Sequence, residues 1–275
     1  MSAAVSVIVP ASNEARLLPS CLRALLGSDE PGRAVEAVVV SNGSRDGTAE
    51  VARGFAPRFA ARGWTLEVLD LPEGGKAAAL DAGDAVAAGG TRAYLDADVT
   101  MSAPLLGALA RLLDRPEPAF ASGRPEIAGT GLAARLYARA WQHVPFMREG
   151  VPGCGLFAVN AAGRARWGAW PRIVSDDTFA RLHFAPEERH LVPHGYRWPV
   201  AEGFSGLVRV RRRQDRGVRE IAERFPELMG NEGKARAGGG TLGPMLRDPL
   251  ALLAYGGVAL ATRLPGGDAG WSRGR

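Results

Sequence analysis

Asp96 and Asp98 stand one residue apart, directly after the apolar run Ala93–Leu95. In an extended strand that spacing turns both carboxylates to one face. Two converging carboxylates repel unless a cation or hydrogen-bond donors lie between them. Hard oxygen ligands of this kind suit Mg²⁺ or Mn²⁺ bridging a substrate diphosphate. The plainer reading is two solvated acids in a turn, and the tripeptide alone does not choose between them. Its setting adds weight. Pro10–Ala11–Ser12–Asn13–Glu14 follows the apolar run Ser6–Val9, and Ser41–Asn42–Gly43–Ser44 follows Val35–Val40. Pro72–Glu73–Gly74–Gly75–Lys76 follows Leu66–Leu71. Four successive apolar runs thus end on a polar, acidic or glycine-rich cluster. Lys76 opens a helical pattern, where a cation opposes the helix dipole unless an anion is near. Lys76 and Lys234 are the only lysines in an arginine-rich chain.

The segments between those runs, Glu14–Leu26, Thr48–Ala61 and Lys76–Ala88, carry helical patterns. Continuous apolar strands alternating with helices predict an α/β fold whose parallel sheet is covered on both faces. In such sheets the carboxyl ends of the strands face the ligand crevice, which is where the four clusters fall. Ser44–Arg45–Asp46–Gly47–Thr48 offers capping side chains for the second helix. Beyond residue 100 the pattern loosens. It predicts a helix over Ala103–Asp114, a strand over Phe120–Ile127 and a helix from Leu132 to about Val144. A glycine-rich turn at Gly150–Gly155, a strand at Leu156–Val159 and a helix opening at Ser175–Asp176–Asp177 follow. Gly238–Gly240 reads as a linker ahead of a C-terminal piece.

Several chemistries are excluded by what is missing. Gly74–Gly75–Lys76–Ala77 lacks the upstream glycine and the Ser or Thr of a phosphate-binding P-loop, and no G-x-G-x-x-G opens a helix. Neither an ATPase nor a nicotinamide enzyme is supported. Cys21 and Cys154 give no disulfide framework and no zinc spacing, and Cys154 reads as a packing residue. His190 and His194 lie four apart, but Pro193 argues against a shared helical metal face. At 275 residues, 46% hydrophobic and 23% charged, the chain has ordinary globular composition for one large domain or two small ones. Its net charge of +5 permits anionic partners. The arginines cluster once, without an aromatic stacking array, so nucleic acid is not expected. MSAAVSVIVPASNEA carries no signal-peptide pattern, and a cytoplasmic location is expected.

VSVIVPASNEA, VVVSNGSRDGT, GGKAAALDAG and YLDADV, in this order and spacing, resemble family 2 glycosyltransferases of the GT-A fold. The resemblance is strong over residues 4–100 and weaker to about 220. It implies a Rossmann-like three-layer sandwich with a mostly parallel sheet. Residues 1–237 would form the transferase domain, with a nucleotide-binding half to about 100 and an acceptor half from 101. Residues 238–275 would form a short helical tail. By matching position, Pro10, Ala11, Asn13, Glu14, Asn42, Lys76 and Asp96 would hold the nucleotide, and Asp98 with Asp96 the metal, Mn²⁺ or Mg²⁺. Asn42 stands where the family usually has an acid. Asp177 would take the acceptor proton, with Asp176 beside it. Gly153, Cys154 and Gly155 would line the acceptor pocket. Arg213 and Arg216 lie near a family Gln-x-x-Arg-Trp motif, but here the spacing differs and the Trp is missing, which argues against a processive polymerase. Arg213 and Arg216 would contact the diphosphate, a lipid phosphate or the acceptor, and the alternative is a solvated basic face.

The expected activity is inverting transfer from a nucleotide-diphosphate sugar, UDP-linked by preference, to a hydroxyl acceptor that is lipid-linked, a glycan or a small molecule. A retaining transferase and a non-catalytic sugar-nucleotide-binding scaffold are the rivals. A nucleotidyltransferase is disfavoured because Pro10–Glu14 lacks the required glycine- and arginine-rich loop. Pro249–Thr262 is uncharged and, at 14 residues, short of the roughly 20 that span a bilayer. It is expected either to attach peripherally to an anionic inner leaflet or to pack on the catalytic domain.

Overall fold

The computed structural model describes residues 4–233 and 247–264. The expected linker at Gly238–Gly240 lies outside them. β1 (Val5–Ala11) is buried throughout and pairs in parallel with β2 (Val35–Asn42), Val5 opposite Val35 and Ala11 opposite Ser41. β3 (Thr65–Leu71) extends the sheet beyond β2, and β4 (Thr91–Leu95) lies on the other side of β1, both parallel. These four strands are the apolar runs of the sequence. The second half departs from the expected pattern. β5 (Thr100–Met101), β6 (Phe120–Ala128), β7 (Leu156–Asn160) and β8 (Arg189–Pro199) complete one sheet of order β3-β2-β1-β4-β7-β6-β8-β5. β7 runs antiparallel to both β4 and β6, and β5 antiparallel to β8, while β6 and β8 are parallel.

Helices cover both faces. α1 (Leu18–Leu26), α2 (Thr48–Arg53), α3 (Ala56–Ala61) and, later in the chain, α5 (Leu105–Leu112) belong to the core on one face. α4 (Lys76–Val86), preceding α5, packs on the other face. With it lie Trp167, Trp170 and α9 (Asp176–Leu182). Two helices differ from expectation. The first starts at Leu18 rather than Glu14, because residues 14–17 form a turn and Pro19 favours the helix start. The second divides at Gly54–Phe55, with Pro57 opening the second piece.

A third cluster joins α6 (Leu132–Trp141), α10 (Gly203–Arg224) and α11 (Pro249–Arg263). α7 (Pro145–Glu149) and α8 (Ala161–Arg164) are short intervening turns of helix. Three consecutive arginines of α10 point three ways. Arg211 reaches Asp215 and the Tyr255 hydroxyl, and Arg212 donates to the Ala261 and Leu264 carbonyls at the end of α11 (2.9 and 2.8 Å). Arg213 enters the central cavity. Among the described residues no helix is long and apolar enough to cross a membrane.

One buried carboxylate binds the layers together. Asp84 on α4 accepts from Arg92 and the Tyr94 hydroxyl of β4, from Arg164 of α8 and from the Trp170 indole, each at 2.8–2.9 Å. Asp81, one turn earlier, accepts the Trp170 backbone N–H at 2.8 Å. This fixes α4, and Lys76 at its start, against the strand ending at Leu95, just before Asp96, and the segment leading to Asp176.

Candidate active site

The order of the sheet reverses at β1, which has β2 on one side and β4 on the other, and a crevice opens at such a switch point. The loops after β1 and β2 are zipped together. The Asn13 and Glu14 backbone N–H groups donate to Ser44 Oγ (3.1 Å) and Thr48 Oγ1 (2.8 Å), and Arg45 N–H donates to Asn13 Oδ1 (2.9 Å). Asn13 itself takes a left-handed backbone, φ 52°. Asn42, only 4% exposed, donates from Nδ2 to the Ala11 carbonyl (2.9 Å) and accepts the Gly75 N–H at Oδ1 (3.0 Å). Its amide therefore joins three loops, and a carboxylate here could not donate to Ala11. Gly43, at φ +58°, lets this closure happen, since a Cβ there would lie 2.6 Å from the Gly74 nitrogen.

Asp96 and Asp98 are not on an extended strand. β4 stops at Leu95, and the Val99 N–H donates to the Asp96 carbonyl (3.0 Å), closing a turn. The turn still brings both acids into one cavity. The Asp96 N–H in turn donates to the Gly155 carbonyl (2.9 Å). Gly155 has φ +75°, and a Cβ there would sit 2.8 Å from the Trp198 ring. The glycine loop can therefore lie flat against the acid turn.

Lys76 is the pivot. Its Nζ lies 2.9 Å from Asp96 and 3.0 Å from Asp176, bridging the donor strands to the helix of the acceptor half. Loss of hydration opposes its charge, but the Asp176 and Asp96 carboxylates hold the ammonium well above its ordinary range. Asp177 moves the other way. Burial and the neighbouring Asp176 push its carboxyl up to about 6. Its Oδ1 accepts the Thr178 N–H at 2.7 Å. Ser175 caps α9 by position without a side-chain bond.

Pro10, Lys76, Asp96, Asp98, Gly153, Cys154, Gly155, Asp176, Asp177 and Arg213 thus meet in one cavity of about 160 Å³. Ala11, Asn13, Glu14 and Asn42 lie at the ends of β1 and β2 outside it, and Arg216 is exposed on the far side of α10. Burial pushes the Cys154 thiol up, and its sulfur lies 3.9 Å from the Tyr196 hydroxyl, consistent with packing. His190 and His194 sit on β8, away from the cavity. Sequence reasoning missed Trp141 and Trp198, whose rings lie 5.3 Å apart and form the apolar wall opposite the acids. Their signal was a pair of tryptophans, one ending a helix and one ending a strand.

Four carboxylates face two cations, Lys76 and Arg213, an excess of two formal negative charges. A diphosphate would be repelled from such a site unless a divalent ion accompanied it. Among the described residues no group of three ligands forms a closed metal cage. One or two carboxylates with open positions is nonetheless what Mg²⁺-type sites shared with substrate phosphates use, so Asp98 and Asp96 fit the group.

A three-layer α/β sandwich with acids at its strand ends is the GT-A fold. The model for glycosyl transferase family 2 matches residues 6–163, more than half of the chain, and the chain belongs to that family. Over 95 residues it is 39% identical to glycosyltransferase AglE of Haloferax volcanii, covering 34% of this chain and 30% of that one. A dolichyl-phosphate beta-glucosyltransferase of Drosophila melanogaster is 40% identical over 101 residues, again 34% and 30% of the two chains. The matched segment therefore spans about a third of the length of these relatives. Among solved structures, a Pyrobaculum calidifontis mannosyltransferase in complex with GDP-Man and Mn²⁺ shares the fold at TM-score 0.61 and 21% identity, over 96% of this chain and 77% of that one. Glucosyl-3-phosphoglycerate synthase of Mycobacterium tuberculosis, in complex with Mn²⁺ and UDP, gives 0.54 at 21% identity, over 82% and 80%.

Proposed function

We propose that this glycosyltransferase moves a sugar from a UDP-linked donor to a hydroxyl acceptor with inversion, using Mn²⁺ or Mg²⁺. The observation that carries the reading is the meeting of Asp96, Asp98, Asp176 and Asp177 around Lys76 in one cavity. The β1 and β2 loops, with Pro10, Ala11, Asn13 and Glu14, form the nucleoside side, and Asn42 positions those loops. Asp98, with Asp96, would hold the cation, which when bound neutralises charge growing on the departing diphosphate. Lys76 supplies further positive charge there. Asp177 takes the acceptor O–H proton as that oxygen forms its bond to the anomeric carbon. The bond from that carbon to the diphosphate oxygen breaks at the same time, and its electron pair leaves with the nucleoside diphosphate. A carboxyl poised near pH 6 is suited to this base role. Gly153, Cys154, Gly155 and Asp176, with Arg213, border the acceptor. The acceptor is lipid-linked, and the enzyme works in the cytoplasm, attached peripherally to the inner face of a membrane.

Thermal stability measured against UDP, GDP and dTDP, each with and without Mn²⁺, tests the donor half without a known acceptor. A Mn²⁺-dependent rise with UDP, lost in Asp98→Ala, is expected. A rise with GDP alone would keep the class and overturn the uridine donor. No rise with any nucleotide would overturn the transfer reading in favour of a non-catalytic scaffold.

A further inference from the structure

α11 leaves much of its apolar surface uncovered. Against α6 and α10 it buries Ala251 and Val258 fully and Leu252 and Tyr255 in part. Three of its leucines point the other way: Leu250, Leu253 and Leu260 are each between 60% and 71% exposed, as is Leu264 just past its end. At 100° per residue the three helical leucines fall within about 80° of one another, a single stripe along the helix. Phe204 of α10, itself half-exposed, lies against Gly257. A helix packed only to complete a domain would bury its leucines and expose its alanines.

The charges around the stripe say what covers it. Between Asp248 and Arg263 the helix carries no charge, and Asp248 is already paired with Arg139 at 2.9 Å. Arg247 and Arg263 stand exposed at its two ends. At 15 residues, α11 is about 22 Å long, too short to cross a hydrocarbon core of roughly 30 Å and long enough to lie along its surface. An apolar stripe with arginines at both ends matches an anionic lipid surface.

We infer that α11 is the membrane-docking element, lying in the plane of an anionic bilayer with its leucine stripe among the acyl chains and Arg247 and Arg263 at the headgroups. This deepens the membrane part of the reading above and names the surface responsible. It also bears on the acceptor. Val210, Arg213 and Gln214 line the cavity from the same α10 that carries α11. The cavity therefore lies behind α10, with α11 on the outside of that helix. An acceptor whose lipid stays in the bilayer can present its head to Asp177 from there.

Co-sedimentation of the full chain with vesicles of phosphatidylcholine containing phosphatidylglycerol, against pure phosphatidylcholine, tests this. Binding to the anionic vesicles that weakens with salt is expected, with at least a tenfold loss in the double variant Leu253→Ser, Leu260→Ser. Arg263→Glu, at a fully solvated site, should lose about fivefold or more. The UDP and Mn²⁺ thermal shift is read on every variant. An unchanged shift shows that the fold and donor site survive, so a loss of sedimentation belongs to the stripe. A wild-type chain that stays in the supernatant with anionic vesicles overturns the inference, and if its UDP shift is intact the transfer reading stands. A dimer seen by light scattering that the double variant dissolves, with vesicle binding unchanged, also overturns it and assigns the stripe to a second copy.

Discussion

Residues 4–100, the donor half of the reading proposed above, and the residues beyond them, its acceptor half, hold their candidate groups by different means. In the donor half, four parallel strands deliver their clusters to one crevice, and loop-to-loop hydrogen bonds set the fine geometry: Asn42 to Ala11 and Gly75, Asn13 to Arg45. In the acceptor half, mixed strands and three helices place groups by side-chain packing, with the Trp141–Trp198 wall and the arginines of α10. Lys76 and the Asp84 hub tie the halves together. A site on the acceptor half depends on helix rotation and contact.

That contrast can be attacked at its joint first. Asp98→Ala and Asp177→Asn are each expected to lower turnover by roughly 10³-fold, one from each half. Normal turnover in either would detach that half from the chemistry. Asp84→Ala leaves Arg92 and Arg164 without their carboxylate and should cost about 3 kcal/mol by denaturant unfolding. A loss below ~1 kcal/mol would mean that the halves are held elsewhere. Asn42→Asp sets a carboxylate oxygen against the Ala11 carbonyl and should cost about 2 kcal/mol, with nucleotide affinity falling because the loops part.

Asp177→Asn should also raise stability. Its carboxyl is pushed up to about 6 in the folded protein, so ionising it opposes folding. The penalty is absent where both states are protonated, below the ordinary carboxyl range, and complete above pH 6. The Asn variant should therefore gain about 1 kcal/mol at pH 8, after allowing for Lys76 and water at the cavity mouth, and nothing at pH 3. Equal melting temperatures at pH 8 would contradict this. The smallest effect belongs to Arg216→Ala, within about 0.5 kcal/mol, because that side chain faces solvent.

The donor half was legible because its strands are unbroken apolar runs and its chemistry sits at their ends. Beyond it α5, β6, α6, β7 and α9 were legible too, but β5, β8 and α10 were not, for reasons that can be named. β8 contains Pro193 and Gly195, residues that argue against a strand. They fall where the register with β6 shifts between Ser122 and Arg124, an irregularity that admits them. In α10 the inward positions are Leu207, Val210, Gln214, Gly217 and Ile221. The spacing is helical, but Gln214 faces the cavity and Gly217 makes room for Ser175, so the apolar pattern is broken where the site needs it. The turn that holds Asp96 and Asp98 was read as strand because a one-residue spacing suits both. The leucines of α11 announced an apolar helix, and only the fold shows which way they face.

The three neighbouring arginines of α10 carry a consequence for how this chain can change in length. Arg212 clasps the end of α11 while Arg213 lines the cavity that holds the acids, and the two tasks are separated by a single step of helix rotation. Inserting or deleting one residue between Glu202 and Arg211 would turn everything beyond it by about 100°, exchanging an anchor for a site residue. Surface loops elsewhere absorb such changes cheaply. In this segment, chain length is itself a specification, as binding as the identity of any residue in it.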